Sequence, residues 1–224
     1  MSRVLVAGAT GAIGGLVARE LARRGADLAV TGRDAAALDA LAADLGPSVA
    51  LAVAADLTGD GEPDRVVAEA HAALGGLDAV VCAVGVVAFG PVAELDDATL
   101  TTLLQVNVAA PARLTRAAAA HMEKGGVIVN LSAIVADMPT AGMAAYSASK
   151  AALTAFDRAA GRELRRAGLR LVDVRPPHLA TGLETRPIAG TAPRLPEGRD
   201  PSDWARRIAD AVDDPGVTEV GPEA

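Results

Sequence analysis

The sequence predicts a doubly wound α/β domain, a parallel sheet of about seven strands with helices on both faces. Three observations predict it. Short β-branched runs alternate along the chain with Ala-, Leu- and Arg-rich stretches of helical period. The length of 224 residues suits one such domain. Hydrophobic residues make up 51% of the chain but aromatic ones only 2%, so Ala, Val, Leu and Ile must close the core, which favours slim helices on a β-branched sheet.

Each element follows in order. Strands are expected at Arg3 to Ala7, Asp27 to Thr31, Val49 to Ala54, Leu77 to Ala83, Val127 to Leu131, Arg170 to Val174 and, more weakly patterned, Val217 to Val220. Helices are expected at Ile13 to Arg24, Asp34 to Leu45 and Pro63 to Leu74, each with a glycine just past its end (Gly25, Gly46 and Gly75), and Pro63 sits in a first turn. Two longer ones, Asp97 to Met122 and Met143 to Ala167, carry broad Ala faces. Such faces suit a homodimer or homotetramer interface, and equally suit packing within one chain. Residues 182–201, rich in Pro, Gly and Arg, read as a surface loop without regular structure that frames a substrate. Residues 1–224 thus form one domain with no internal repeat.

Composition narrows the function. The net charge of −7 leaves no basic stripe to displace counterions from phosphates, which argues against nucleic acid. The longest apolar stretch, about Ala79 to Ala93, is broken by Gly85, Gly90 and Pro91 and falls short of a membrane span. Cys82, the one cysteine, excludes a disulfide scaffold and suits a reducing compartment. Met1 to Ala7 lacks the pattern of a secretory leader, so a cytoplasmic location is expected. The Asp60, Glu62 and Asp64 cluster reads as a solvated helix start, and the three histidines have no ligand spacing, so no metal is expected.

Two motifs carry chemistry. Gly8-Ala9-Thr10-Gly11-Ala12-Ile13-Gly14 joins the first strand to the first helix, where missing Cβ atoms let backbone approach a pyrophosphate held on the helix N-terminus. The second strand ends in Thr31-Gly32-Arg33-Asp34, with Arg33 offering a guanidinium fork to a ribose 2′-phosphate. This favours NADP, with NAD possible if Asp34 takes the ribose instead of capping the next helix. Asp56-Leu57, after the third strand, suits an adenine amino group or a turn. Tyr146 and Lys150 form the second motif, the only tyrosine lying four residues before one of only two lysines. Helical spacing puts both on one face, where an ammonium can pull a phenol pKa below its usual value near 10.

Taken together, Tyr146-Ser147-Ala148-Ser149-Lys150, the glycine loop, Asp56, Asn107 in Val106-Asn107-Val108, and Val127-Ile128-Val129-Asn130-Leu131-Ser132 resemble the short-chain dehydrogenase/reductase superfamily over nearly the whole chain. The resemblance implies a Rossmann fold with strand order 3-2-1-4-5-6-7. It implies Tyr146 as general acid/base, Lys150 as holder of the nicotinamide ribose, and Asn107 as holder of a water in a proton relay. Ala83 and Gly85 border the cofactor, and Pro176 and Thr181 lie near its nicotinamide end.

Four departures stand out. The family's catalytic serine, thirteen residues before the tyrosine, is here Ala133, and Ser132 substitutes for it only if the strand end bends. Ala12 fills the place of a glycine in the loop. Cys82-Ala83-Val84-Gly85 stands for Asn-Asn-Ala-Gly, and Pro177 replaces a glycine beside His178. The expected activity is NADP-dependent interconversion of a carbonyl and a secondary alcohol. The alternatives are an epimerase, dehydratase or isomerase on the same fold, or an NADP sensor without turnover. Val86, Val87, Phe89, Ala133 to Met138 and Met143 would frame an apolar substrate in an open pocket under a small lid.

Overall fold

A computed structural model describes residues 2–221. Seven parallel strands run β3-β2-β1-β4-β5-β6-β7 across one sheet. They are β1 (Arg3–Ala7), β2 (Asp27–Gly32), β3 (Val49–Ala54), β4 (Ala79–Cys82), β5 (Val127–Leu131), β6 (Arg170–Val174) and β7 (Glu219–Val220). The helices are α1 (Ala12–Arg23), α2 (Ala35–Leu45), α3 (Glu62–Leu74), α4 (Asp97–Leu104), α5 (Ala110–His121), α6 (Ala144–Arg166) and α7 (Pro201–Asp213). The order reverses between β1 and β4, and such a switch point leaves a crevice at the carboxyl ends of the strands.

Strand alternation divides the core in two. Val4, Val6, Leu28, Val30, Val129 and Val172 face α1, α2 and α7, whereas Leu5, Ala29, Val80, Ile128 and Leu171 face α3 and α5. The one tryptophan, Trp204 on α7, is buried in the first layer, with the Arg207 guanidinium 4.4 Å above its ring.

Two expectations need correction. The helix expected from Asp97 to Met122 is interrupted by a π-helical turn at Gln105–Ala109. Pro111 explains the break, because it has no N–H for the Asn107 carbonyl four residues back and its ring crowds that carbonyl. The helix α7 was not anticipated beyond the loop at 182–201. Its signals are present in the sequence, namely Asp200, whose side chain accepts from Ser202 N, Pro201 in the first turn, and Trp204, Ile208 and Ala211 at helical spacing. Within the loop, Leu183–Thr185 forms a 3-10 turn and Leu179 pairs with Arg199.

Candidate active site

The glycine loop is built for a close approach. Gly8 has φ +78°, and a Cβ there would stand 2.9 Å from the Ala83 carbonyl; a Cβ on Gly14 would overlap the Gly8 carbonyl. Gly11 caps α1 without a side chain, leaving first-turn N–H groups facing the crevice beside exposed Thr10 and Ala12, with Ile13 half-buried. The glycines thus let the loop pack on the end of β4 and on the start of α1, whose open N–H groups fit a dinucleotide pyrophosphate.

Further along the crevice, Thr31 spends its hydroxyl on the Val53 carbonyl at 2.8 Å, and Gly32 leaves room for Thr10. Asp34 accepts from Ala37 N at 3.0 Å and so caps α2, while Arg33 stands exposed beside it. Asp56 holds Thr58 through its backbone N and hydroxyl, which keeps its carboxyl below the usual range. The side chain of Leu57 is buried in the core.

At the carboxyl end of β4, the π-helical turn aims Asn107 inward. Its Oδ1 accepts from Val86 N at 2.9 Å, and its Nδ2 donates to the Val86 carbonyl at 2.9 Å and to Ser149 Oγ at 3.0 Å. Ser149 donates in turn to the Tyr146 carbonyl at 2.7 Å. The Asn107 side chain thereby ties the segment after β4 to the first turns of α6. Lys150 Nζ donates to the Leu131 carbonyl at 2.9 Å, and a Cβ on Gly85 would lie 3.3 Å from that nitrogen. Lys150, Asn107 and Gly85 therefore surround one point, and Tyr146 stands one helical turn before Lys150 on α6.

Burial governs the charges. Burial alone pushes the Tyr146 phenol up to about 12. Burial pulls Lys150 down to about 8, opposed by Cys82, Asp173 and Asp157. The expected lowering of the phenol by the ammonium is thus not what dominates in this state.

The neighbouring expectations fare differently. Ser132 is buried, and its hydroxyl donates to Asp173 on β6 and to the Val174 carbonyl at 3.3 Å. Ala133, extended at φ −170°, occupies the serine position with a methyl group. Thr181 N donates to the Leu179 carbonyl at 2.7 Å while its hydroxyl makes long contacts, accepting from Leu183 N at 3.4 Å, and the Pro176 carbonyl accepts from Ile134 N at 2.9 Å.

The pocket expected to be open is closed over. Tyr146 is 7% exposed, in a cluster with Val87, Phe89, Leu103 and Met143 against which Leu183, Ala189 and Ala192 pack. Ile188 N donates to the Val87 carbonyl at 2.9 Å and Phe89 N to the Ala189 carbonyl at 3.0 Å, which pairs the loop with the segment after β4.

Sequence reasoning missed Ser149, Asp157, Asp173 and Arg175. Asp157 lies seven residues after Lys150 on the same face of α6, a spacing that could have marked it.

Comparison with known proteins adds three findings. The family model described as short chain dehydrogenase matches residues 2–189. An uncharacterized oxidoreductase of Methylorubrum extorquens is 34% identical over 196 residues, covering 84% of this chain and 77% of that protein; nodulation protein G of Rhizobium sp. (strain N33) is 34% identical over 164 residues, 72% of this chain and 66% of its own length. Among solved structures, a short chain dehydrogenase from Burkholderia cenocepacia in complex with NADP superposes with a TM-score of 0.87 at 29% identity, covering 98% of this chain and 95% of that one.

Proposed function

The chain belongs to the short-chain dehydrogenase/reductase family of nicotinamide-dependent oxidoreductases, and from that premise we propose that it reduces the carbonyl of an apolar small molecule to a secondary alcohol with NADPH. The observation that carries this reading is the convergence of Lys150, Asn107 and Gly85 on one point beside the glycine loop, with Tyr146 one helical turn before Lys150 on α6. NADPH supplies the hydride when bound. Gly8, Gly11, Gly14 and the first turn of α1 would hold its pyrophosphate, with Asp56, Leu57, Ala83, Pro176 and Thr181 bordering it. Arg33 would hold the 2′-phosphate, since Asp34 is spent on its cap and no carboxylate at the end of β2 competes. NADP in the Burkholderia cenocepacia structure agrees with this preference.

The proton comes from Tyr146. A phenol held near 12 stays protonated across the neutral range and serves as the acid of a reduction. Lys150, near 8, is mainly ammonium at pH 7 and would steady the phenolate left after proton transfer. Asn107, braced on Val86 and Ser149, keeps the segment after β4 against Lys150 and carries the family's water. The apolar cluster around Tyr146 sets the substrate class. Two or four copies would associate through the outer faces of α5 and α6.

The test is a panel of apolar ketones and aldehydes with NADPH and NADH. Reduction should hold level below pH 8 and decline above it as Lys150 loses its proton, with Tyr146→Phe slower by about 10²- to 10⁴-fold. Equal rates for parent and variant would remove Tyr146 from the mechanism. One observation favours a second reading, nucleotide binding without turnover: Ala133 offers no hydroxyl to polarise a carbonyl, and Ser132 is turned to Asp173. NADPH binding with no turnover on the panel would select it.

A further inference from the structure

Arg175, the residue after β6, is 8% exposed, and each of its three guanidinium nitrogens faces a carboxylate from a different segment. Nη1 donates to Asp173 on β6 at 2.9 Å and Nη2 to Glu219 on β7 at 2.7 Å, while Nε, which makes no hydrogen bond, lies 2.9 Å from Asp137 Oδ2 as an ion pair. Asp173 also receives the Ser132 hydroxyl, and Glu219 a second guanidinium, that of Arg158, at 3.3 Å. The two Nη donors of the planar fork meet their carboxylates in hydrogen bonds, and the Asp137 contact at Nε is one of charge.

Asp137 closes the 3-10 turn Ile134–Ala136, whose Val135 packs into the apolar cluster around Tyr146. At its start the turn is tied to the β6 side by Ile134 N donating to the Pro176 carbonyl, but its other bonds are internal: Ala136 N to Ala133, Asp137 N and Met138 N to Ile134. Beyond it, Met138 is 67% exposed. Asp137 on Arg175 is therefore the tether at the far end of this wall.

Resting on the oxidoreductase reading, we propose that Arg175 is a positioning residue that, through Asp137, holds the Ile134–Met138 wall of the substrate pocket against the β6 end of the sheet. Glu219 provides an internal control. It meets the same guanidinium through a hydrogen bond at 2.7 Å, and its side chain is 44% exposed against 41% for Asp137, but it belongs to β7 and not to the wall.

Asp137→Asn and Glu219→Gln are compared with the parent in NADPH-dependent reduction of the apolar carbonyl panel. Asp137→Asn should raise the carbonyl KM by about tenfold, with kcat within about twofold and the KM for NADPH unchanged, because only the wall loosens. Glu219→Gln should leave all three constants near the parent's. Equal shifts in both variants, or none in Asp137→Asn, would overturn the proposal. Hydrogen exchange of a peptide spanning residues 133–140 gives a readout that needs no turnover: it should quicken in Asp137→Asn and not in Glu219→Gln. A parent that reduces nothing defeats the oxidoreductase reading while exchange still decides the tether, and unchanged exchange in Asp137→Asn defeats the tether alone.

Discussion

Ser132 and Ala133 show how much a single position in a strand decides. Successive side chains of β5 and its extension point to opposite faces, so a hydroxyl one residue early reaches Asp173 instead of the crevice. Ser132→Ala should leave the turnover of the parent within about twofold, while costing about 1 to 3 kcal/mol of stability, because the buried Asp173 loses a donor. Chemical denaturation and steady-state rates check the two halves separately. Arg33 is the converse, an exposed side chain with no part in the core. Arg33→Ala should weaken NADPH by about 10- to 100-fold through loss of charged hydrogen bonds and change NADH little. Titration of both nucleotides measures this, and a uniform effect refutes the 2′-phosphate assignment. The Tyr146 and Lys150 pairing was readable in the sequence, since four residues on a helix define one face wherever the helix lies. The partners of Ser132 were not, since β6 supplies them.

Among elements, the turn from β1 into α1 was the most readable, because glycine spacing and the flanking periods are both local. The structure adds the reason for Gly14, whose missing Cβ makes room for the Gly8 carbonyl. In Gly14→Ala either the loop or the helix start must move. Saturating NADPH should raise the melting temperature of the parent and no longer raise that of the variant, as ligand linkage requires when binding is lost. A preserved shift would show the cradle to be more tolerant than its geometry implies. The break between α4 and α5 was harder to see. Pro111, in the interior of the helix expected from Asp97 to Met122, was the visible signal of a break, but only the tie from Asn107 to Val86 and Ser149 reveals what the π-helical turn accomplishes.

At the scale of the whole molecule, the face of α6 that carries Lys150 continues into a buried polar seam. Asp157, 3% exposed, accepts from Asn130 Nδ2 on β5 at 2.7 Å, and that amide also reaches Thr115 on α5. Burial raises the Asp157 carboxyl to about 8; the Asn130 bond and Lys150 oppose the shift, and Asp173 on β6 adds to it. Its folded pKa lies above the unfolded value of 3.8, so this stabilising contribution is whole below about pH 4 and is lost as pH rises toward 8. The melting temperature should accordingly decline from pH 5 to 8, and Asp157→Asn should flatten that decline. A decline of the same slope in the variant would remove Asp157 as its cause. No helix among the described residues is long and apolar enough to cross a membrane. By itself, the sequence determined the alternating architecture, the glycine turn and the helical spacing that puts Tyr146 and Lys150 on one face, each of which rests on a period or spacing within one segment; the strand order came from the family resemblance. Only the tertiary structure decided that Ser132 turns to Asp173, 41 residues away, that residues 188 and 189 close over Val87 and Phe89, and that Arg175 gathers carboxylates from three segments. Those outcomes depend on which side chains meet across adjacent strands and loops, and burial then sets how strongly each charge must be answered.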